Sequence, residues 1–264
     1  MATLIAFDTA TERMTVALQC GERVLAHDDE GGARASATLL PAILALLDQA
    51  DLRVADLDAI AFGRGPGAFT GLRTACSVAQ GLAFGAAKPV LPIDTLLAVA
   101  EDARAGAAQL RVWAIVDARM DQIYAAEYEY ADDRWTTRVA PVLADCEMLA
   151  AIWRERPPAV VAGNAIGVFG ARLATGAAVR VAGATPNARA LLRLAQDAWA
   201  DGAAVDAALA LPLYVRDKVA ETEAERAARA RSISAARDTT VPSPLRSPPP
   251  EREGSHPSGP LSES

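Results

Sequence analysis

Asp8 closes a short apolar run, Leu4-Ile5-Ala6-Phe7, and is followed by Thr9, Ala10 and Thr11. Backbone amides and hydroxyls in a tight turn of this kind can face an anion, so the segment is a candidate for contact with the phosphates or metal of a bound nucleotide. Asp117 stands in the same relation to the run from Arg111 to Val116. The plainer reading is that both carboxylates end strands and accept from turn amides. A second candidate is Gly65-Pro66-Gly67-Ala68-Phe69-Thr70-Gly71-Leu72-Arg73. It would sit at a helix N-terminus, where unpaired amides and the helix dipole attract anions. It lacks the Gly-Lys-Ser/Thr of a Walker A loop. Its glycines would equally let a strand-to-helix turn reach unusual dihedrals while Phe69 fills the core, leaving Arg73 as the side chain able to reach a partner or a phosphate.

Other chemistry is poorly supplied. The two histidines, His27 and His256, cannot form an i, i+4 pair, so a histidine-based catalytic metal site is not expected, although carboxylates alone could hold magnesium. Ser36 and Ser77 lack a nucleophile-elbow motif. Cys20, Cys76 and Cys146 are widely spaced, odd in number and without a C-x-x-C, which supports neither a disulfide framework nor a zinc knuckle and fits a reducing cytoplasm. Cys76, within an Ala-rich segment, reads as a small core filler.

The elements that must position these residues follow from periodicity. Met14, Val16, Leu18 and Cys20 alternate with smaller or polar residues, the period of a strand with one buried face. With Leu4 to Phe7 and Val24 to His27 they predict an antiparallel meander. Leu39, Leu40, Ile43, Leu44, Leu46 and Leu47 recur at helical spacing, with Ser36 as a candidate N-cap and Pro41 early enough to be tolerated. Ala59 to Phe62 predicts a fourth strand, Thr70 to Ala86 a helix of small residues, Val90 to Ile93 a strand, and a further helix starts at Thr95.

The second half repeats this order: Arg111 to Val116, Ile123 to Tyr130 paired with Trp135 to Val142, a helix from Asp145, and the strand Ala159 to Ala162. Gly63, Gly67 and Phe69 recur as Gly163, Gly167 and Phe169. Together with the two strand-ending aspartates, this predicts an α/β chain built from a duplicated β-β-β-α-β-α unit. That order is the one found in the actin, hexokinase and Hsp70 superfamily of paired ribonuclease-H-like lobes. Expected boundaries are residues 1–105 and 106–225 for the lobes, with a late helix able to return to the first.

Composition narrows the partners. The chain has 264 residues, enough for about two domains at roughly 150 each, and 52% of it is hydrophobic, so sizeable cores are available. A net charge of −7 opposes an autonomous grip on nucleic acid or acidic lipid; an RNA partner would need a second protein. The opening residues lack a basic n-region and no apolar run reaches the ~18 residues of a membrane span, so secretion and insertion are disfavoured. From Asp238 to Ser264 there are seven prolines, six serines and two glycines in 27 residues, a composition expected to be disordered, and residues 226–264 are assigned to a tail. Arg226, Arg229, Arg231 and Arg237 form a basic stretch before it, read as a solvated helix end or an RNA-touching arm.

The stretches "LIAFDTATERMTVAL", "AIAFGRGPGAFTGLRTACSVAQGLAFGAAKPVLPIDTLLAVA" and "LPLYVRDKVA", spanning residues 1 to about 225, resemble the TsaB (YeaZ) family. The resemblance implies a bacterial, cytoplasmic subunit of the machinery that places threonylcarbamoyl on N6 of adenosine 37 in tRNAs reading A-starting codons. It implies no cofactor and no catalytic site. Its partners would be the catalytic paralogue TsaD and the small ATPase TsaE, with a homodimer forming when TsaD is absent. In the TsaD pattern two metal-binding histidines stand four apart, and aligning the strand Val90 to Ile93 puts Thr95 and Val99 there; neither replaces an imidazole. One departure from the usual TsaB pattern is Ala35, where a histidine often precedes the serine.

The resemblance also implies that the two helices before residue 86 meet their equivalents in TsaD as a four-helix interface. The expected contact residues are Leu39, Leu40, Ile43, Leu44, Leu47, Arg73, Ala75, Ala79 and Ala83, the alanines forming a smooth ridge that lets another helix approach closely. The plainer alternative is ordinary packing within the lobe. The rival function is an ATP-dependent enzyme using Asp8, Thr9 and Asp117 around magnesium.

Overall fold

The computed structural model describes residues 1–216; the basic stretch Arg226 to Arg237, the Pro/Ser-rich tail and His256 lie outside the described residues. The alternation in the first thirty residues becomes a meander of β1 (Leu4–Asp8), β2 (Arg13–Cys20) and β3 (Arg23–Glu30), with Leu4 opposite Gln19 and Val16 opposite His27. β3 runs to Glu30, beyond the expected His27, because ladder pairing with β2 continues to Arg13. β4 (Ala59–Gly65) joins β1 in parallel, Phe7 opposite Phe62, and β5 (Val90–Asp94) pairs with β4. β1 is thus the centre of a sheet ordered β3-β2-β1-β4-β5. It is buried on both faces, which is why its sequence is continuously apolar rather than alternating.

Three helices complete this half: α1 (Ala35–Gln49), α2 (Phe69–Ala86) and α3 (Thr95–Arg104). Ser36 is not the N-cap of α1, because a 3-10 turn over Gly32–Arg34 runs directly into the helix and moves its start upstream. Pro41 therefore lies inside α1, on its exposed side.

The second half comprises β6 (Leu110–Arg119), β7 (Gln122–Ala131), β8 (Arg134–Ala144), α4 (Cys146–Glu155), β9 (Val160–Ala162), α5 (Ala165–Phe169), β10 (Val179–Val181) and α6 (Ala188–Ala200). Its sheet is ordered β10-β9-β6-β7-β8, the first order with every number raised by five. The duplication is therefore real, and its unit is β-β-β-α-β-α-β-α, one strand and one helix longer than the expected unit. Only three residues of β10 pair, too few for a periodic signal.

Four apolar clusters layer the molecule. α1 and α2 pack on one face of the first sheet through Leu39, Ile43, Ala75 and Ala79. The other face receives α6, whose Leu191, Leu192 and Leu194 meet Leu4, Ala6 and Ala17. α3 lies between the sheets: Ala98 belongs to the first sheet's cluster, whereas Leu96, Val99 and Ala100 pack with Val112, Ala114 and Val116 of the second. The remaining face of the second sheet carries α4 and α5. This is the duplicated ribonuclease-H-like arrangement, with a cleft where the ends of β1 and β6 face each other. No helix among the described residues is long and apolar enough to cross a membrane.

Candidate functional site

The cleft has a volume of about 260 Å³ and is lined by Ala10, Thr11 and Glu12 after β1, Gly67 and Ala68 before α2, Asp117 to Arg119, Tyr124 and Asn164. Asp8 and Thr9 do not reach it. Asp8 is buried, its Oδ1 accepting from the Ala10 amide at 2.6 Å and its Oδ2 from the Thr95 hydroxyl at 2.7 Å. Burial pushes its carboxyl up to about 6, because the charged form loses more solvation than the Ala10 amide and Thr95 hydroxyl restore. The Thr9 hydroxyl is buried too, donating to the Gly71 carbonyl at 2.7 Å.

Asp117 does line the cleft, but its carboxylate accepts from the Arg119 amide at 2.9 Å and pairs with the Arg119 guanidinium at 3.2 Å. Its own amide donates to Asn164 Oδ1 at 2.9 Å. Arg119 also reaches Glu12, bridging the two sides of the cleft. The expected set Asp8, Thr9 and Asp117 is therefore not brought together, and among the described residues no three His, Cys, Asp or Glu side chains are placed to hold a metal. The positions aligned with the TsaD histidines, Thr95 and Val99, are both fully buried.

Glycines from β4 through the first turn of α2 serve close packing. A Cβ on Gly63 would lie 1.7 Å from Asp8 Oδ2, one on Gly71 would lie 1.8 Å from the Thr9 carbonyl, and one on Gly67 would lie 2.4 Å from the Ala10 carbonyl. The Asp8-Thr9-Ala10 turn is pressed against these glycines, and its Ala10 amide and Thr9 hydroxyl are both bonded within the protein. Gly163 repeats the role in the second lobe, where a Cβ would meet the Ile115 carbonyl at 2.0 Å; Gly167 has open space around it and does not.

The second candidate is the outer face of α1 and α2, and here the structure corrects the expected residues. Leu39, Ile43, Leu47, Ala75, Ala79 and Ala83 all face the sheet and are buried within the lobe. The alanine ridge serves the plainer role, close packing of α2 on its own sheet. Of the expected contacts, Leu40, Leu44 and Arg73 point outward. Leu40 is 41% exposed, Leu44 48% and Phe84, not singled out from the sequence, 61%. A second small-residue row, Ser77, Gly81 and Gly85, runs along the exposed side of α2, with nothing near the positions a Cβ would take on either glycine. Two rows of small residues share one helix, and the more apolar of them is the buried one.

The segment spanning residues 211–216 borders this face. The Leu213 amide donates to the Arg64 carbonyl at 2.7 Å, and the Tyr214 ring lies 5.4 Å from that of Phe69. Arg216 reaches the second lobe, donating to the Ala118 carbonyl at 2.9 Å and to Gln122 Oε1 at 2.8 Å.

A family model described as TsaD, tRNA N6-adenosine threonylcarbamoyltransferase, matches residues 27–224. The solved structure of YeaZ from Pseudomonas aeruginosa superposes with a TM-score of 0.74 at 39% identity, covering 81% of this chain and 100% of that one. The chain belongs to this family, on its TsaB (YeaZ) branch. The tRNA threonylcarbamoyladenosine biosynthesis protein TsaB of Escherichia coli is 40% identical over 126 residues, which is 48% of this chain and 54% of that protein. The Haemophilus influenzae protein of the same name is 45% identical over 124 residues, 46% and 52% of the two chains. The chain thus spans about half the length of the curated relatives it matches.

Proposed function

We propose that this chain takes part in making threonylcarbamoyladenosine in tRNA as a noncatalytic subunit, docking a TsaD-type paralogue on the outer face of α1 and α2. The observation that carries this reading is the exposure of Leu40, Leu44 and Phe84 beside the open Ser77, Gly81 and Gly85 row. Water-exposed leucine and phenylalanine on two neighbouring helices gain stability when covered, and a row without bulky side chains lets a partner's helices come close. A second copy of the chain covers the same face when the paralogue is absent, and the TsaE ATPase joins the assembled complex. With a net charge of −7, the chain meets tRNA through that complex, in the cytoplasm.

The rival reading as a magnesium-ATP enzyme gains no support from the buried, protein-bonded Asp8 and Thr9. The deciding experiment coexpresses the chain with the paralogue and compares wild type with Leu44→Glu. The variant is expected to remain folded, since Leu44 lies on the surface, and to lose both the paralogue and the homodimer. Wild-type capture by a folded Leu44→Glu protein would place the interface elsewhere. Threonylcarbamoylation of tRNA by the chain alone would overturn the noncatalytic assignment.

A further inference from the structure

We propose that Arg73 is the specificity anchor of the α1–α2 face, a guanidinium held in place to take a carboxylate side chain of the protein that covers it. The inference rests on the docking reading above and goes beyond it by naming the residue and the chemistry it recognises.

Arg73 is solvent-exposed yet held from two sides. Its guanidinium carbon lies 3.7 Å from the centroid of the Phe69 ring, and its Nε donates to the Tyr214 hydroxyl at 3.1 Å. Phe69 is one turn back on the same helix, but Tyr214 is 141 positions away and is brought there by the anchoring of Leu213 and Arg216 on either side of it. A surface arginine ordinarily samples many rotamers. Here stacking and one hydrogen bond fix its plane, so little conformational freedom remains to be lost on binding.

With Nε occupied, the four N–H groups of the two terminal nitrogens are left. Other arginines of the molecule find acids, such as Arg104 and Arg193 on Glu101 and Arg111 on Glu127. Among the described residues Arg73 pairs with no carboxylate. It borders an open groove of about 440 Å³ between the start of α1 and α2, shared with Thr70 and Ser77. Covering the surrounding apolar face would desolvate this cation, which is costly unless the partner supplies an acceptor, and a planar fork is best matched by a carboxylate.

A protein carboxylate fits better than the alternatives. An RNA backbone is gripped by several cations together, and among the described residues this groove has one. A second copy offers a single acid on these two helices, Asp48, twelve residues beyond Ser36 and so about 18 Å along the α1 axis.

The test measures binding of the purified paralogue by calorimetry, with self-association followed by sedimentation, for wild type, Arg73→Met, Arg73→Lys and Leu44→Glu. Arg73→Met keeps the bulk and loses the charge; it is expected to melt like wild type and to bind the paralogue roughly 30-fold or more weakly, the range for truncating one member of a buried charge pair. Arg73→Lys keeps the charge without the fork and should recover only part of that loss. Wild-type affinity in Arg73→Met together with abolished binding in Leu44→Glu would overturn the anchor and leave the docking face standing. Wild-type affinity in both would remove the docking reading and the anchor with it. If Arg73→Met and Asp48→Asn weaken self-association equally while paralogue binding is unchanged, the acceptor belongs to a second copy. If the chain alone binds inorganic phosphate and Arg73→Met abolishes it, the occupant is a free anion. Either result overturns the proposal.

Discussion

The Thr95 hydroxyl donates a 2.7 Å hydrogen bond to the carboxylate of Asp8, 87 residues earlier in the chain, and accepts one from the Gly65 amide at 3.2 Å. The position that aligns with a metal-binding histidine in the TsaD pattern is occupied here by a side chain that ties the end of β1, the end of β4 and the start of α3 together. This fully buried hydroxyl acts as internal scaffolding, and the energetics of its contact with Asp8 can be measured.

Asp8 should destabilise the fold at neutral pH. Its folded pKa of about 6 exceeds the ordinary 3.8 because of burial. A raised pKa means that its stabilising contribution is complete below about 3.8 and is lost as pH rises through 6. The difference of about 2 units corresponds to at most about 3 kcal/mol at pH 8. Asp8→Asn, which can still accept from the Ala10 amide, is expected to be more stable than wild type at pH 8 by about 1 to 3 kcal/mol and to show a flatter profile between pH 4 and 6. Urea titrations at several pH values measure both, and a less stable variant at pH 8 would contradict the account.

Glu101 should behave in the opposite sense. It is buried, and its carboxylate accepts from Arg104 at 2.8 Å, Arg193 at 2.7 Å and the Trp135 indole at 2.9 Å, joining α3, α6 and β8. Burial alone would raise its pKa, but these donors outweigh it and hold the value below 4.5. Its contribution is therefore complete above that value and fades as pH falls through the lowered folded pKa. Glu101→Gln should cost about 2 to 4 kcal/mol at pH 7, since both guanidiniums lose their counter-charge, and the penalty should shrink in acid. Thermal melts at pH 7 and pH 3.5 read the difference.

Two glycines of α2 should respond in opposite ways to the same substitution. Gly71→Ala forces a methyl toward the Thr9 carbonyl, a backbone atom that cannot rotate away, and is expected to cost about 3 kcal/mol or more. Gly81→Ala meets open space on the solvent side and should stabilise the helix by up to about 1 kcal/mol. Equal melting temperatures for the two variants would show that the Thr9-Ala10 turn against α2 yields more readily than its packing indicates.

Ala79→Glu separates the inner face of α2 from its outer face. Ala79 is fully buried against the first sheet, so a carboxylate there lacks both space and a partner and should unfold the lobe rather than simply release a bound protein. Circular dichroism of the isolated chain decides this. A folded Ala79→Glu protein would mean that α2 can rotate on the sheet.

The local patterns of this chain are written in its sequence. Met14, Val16 and Leu18 on one period, the unbroken apolar run of β1, and Gly63 echoed by Gly163 determined the strands, the sheet centre and the duplication, because each depends on burial or on a close contact that leaves no room for a Cβ. Tertiary structure decided what those patterns left equivalent. Ala75-Ala79-Ala83 and Ser77-Gly81-Gly85 have the same spacing on the same helix, and only the placement of α2 on the sheet makes the first row core and the second surface. Asp8 reads from the sequence as a cleft ligand, whereas Thr95 and Gly63 close over it, and Arg73 reads as a lone basic residue, whereas Tyr214 reaches it from 141 positions along the chain. Such long-range meetings leave no periodic trace, because the free energy that fixes them belongs to the packed sheets and not to either segment alone.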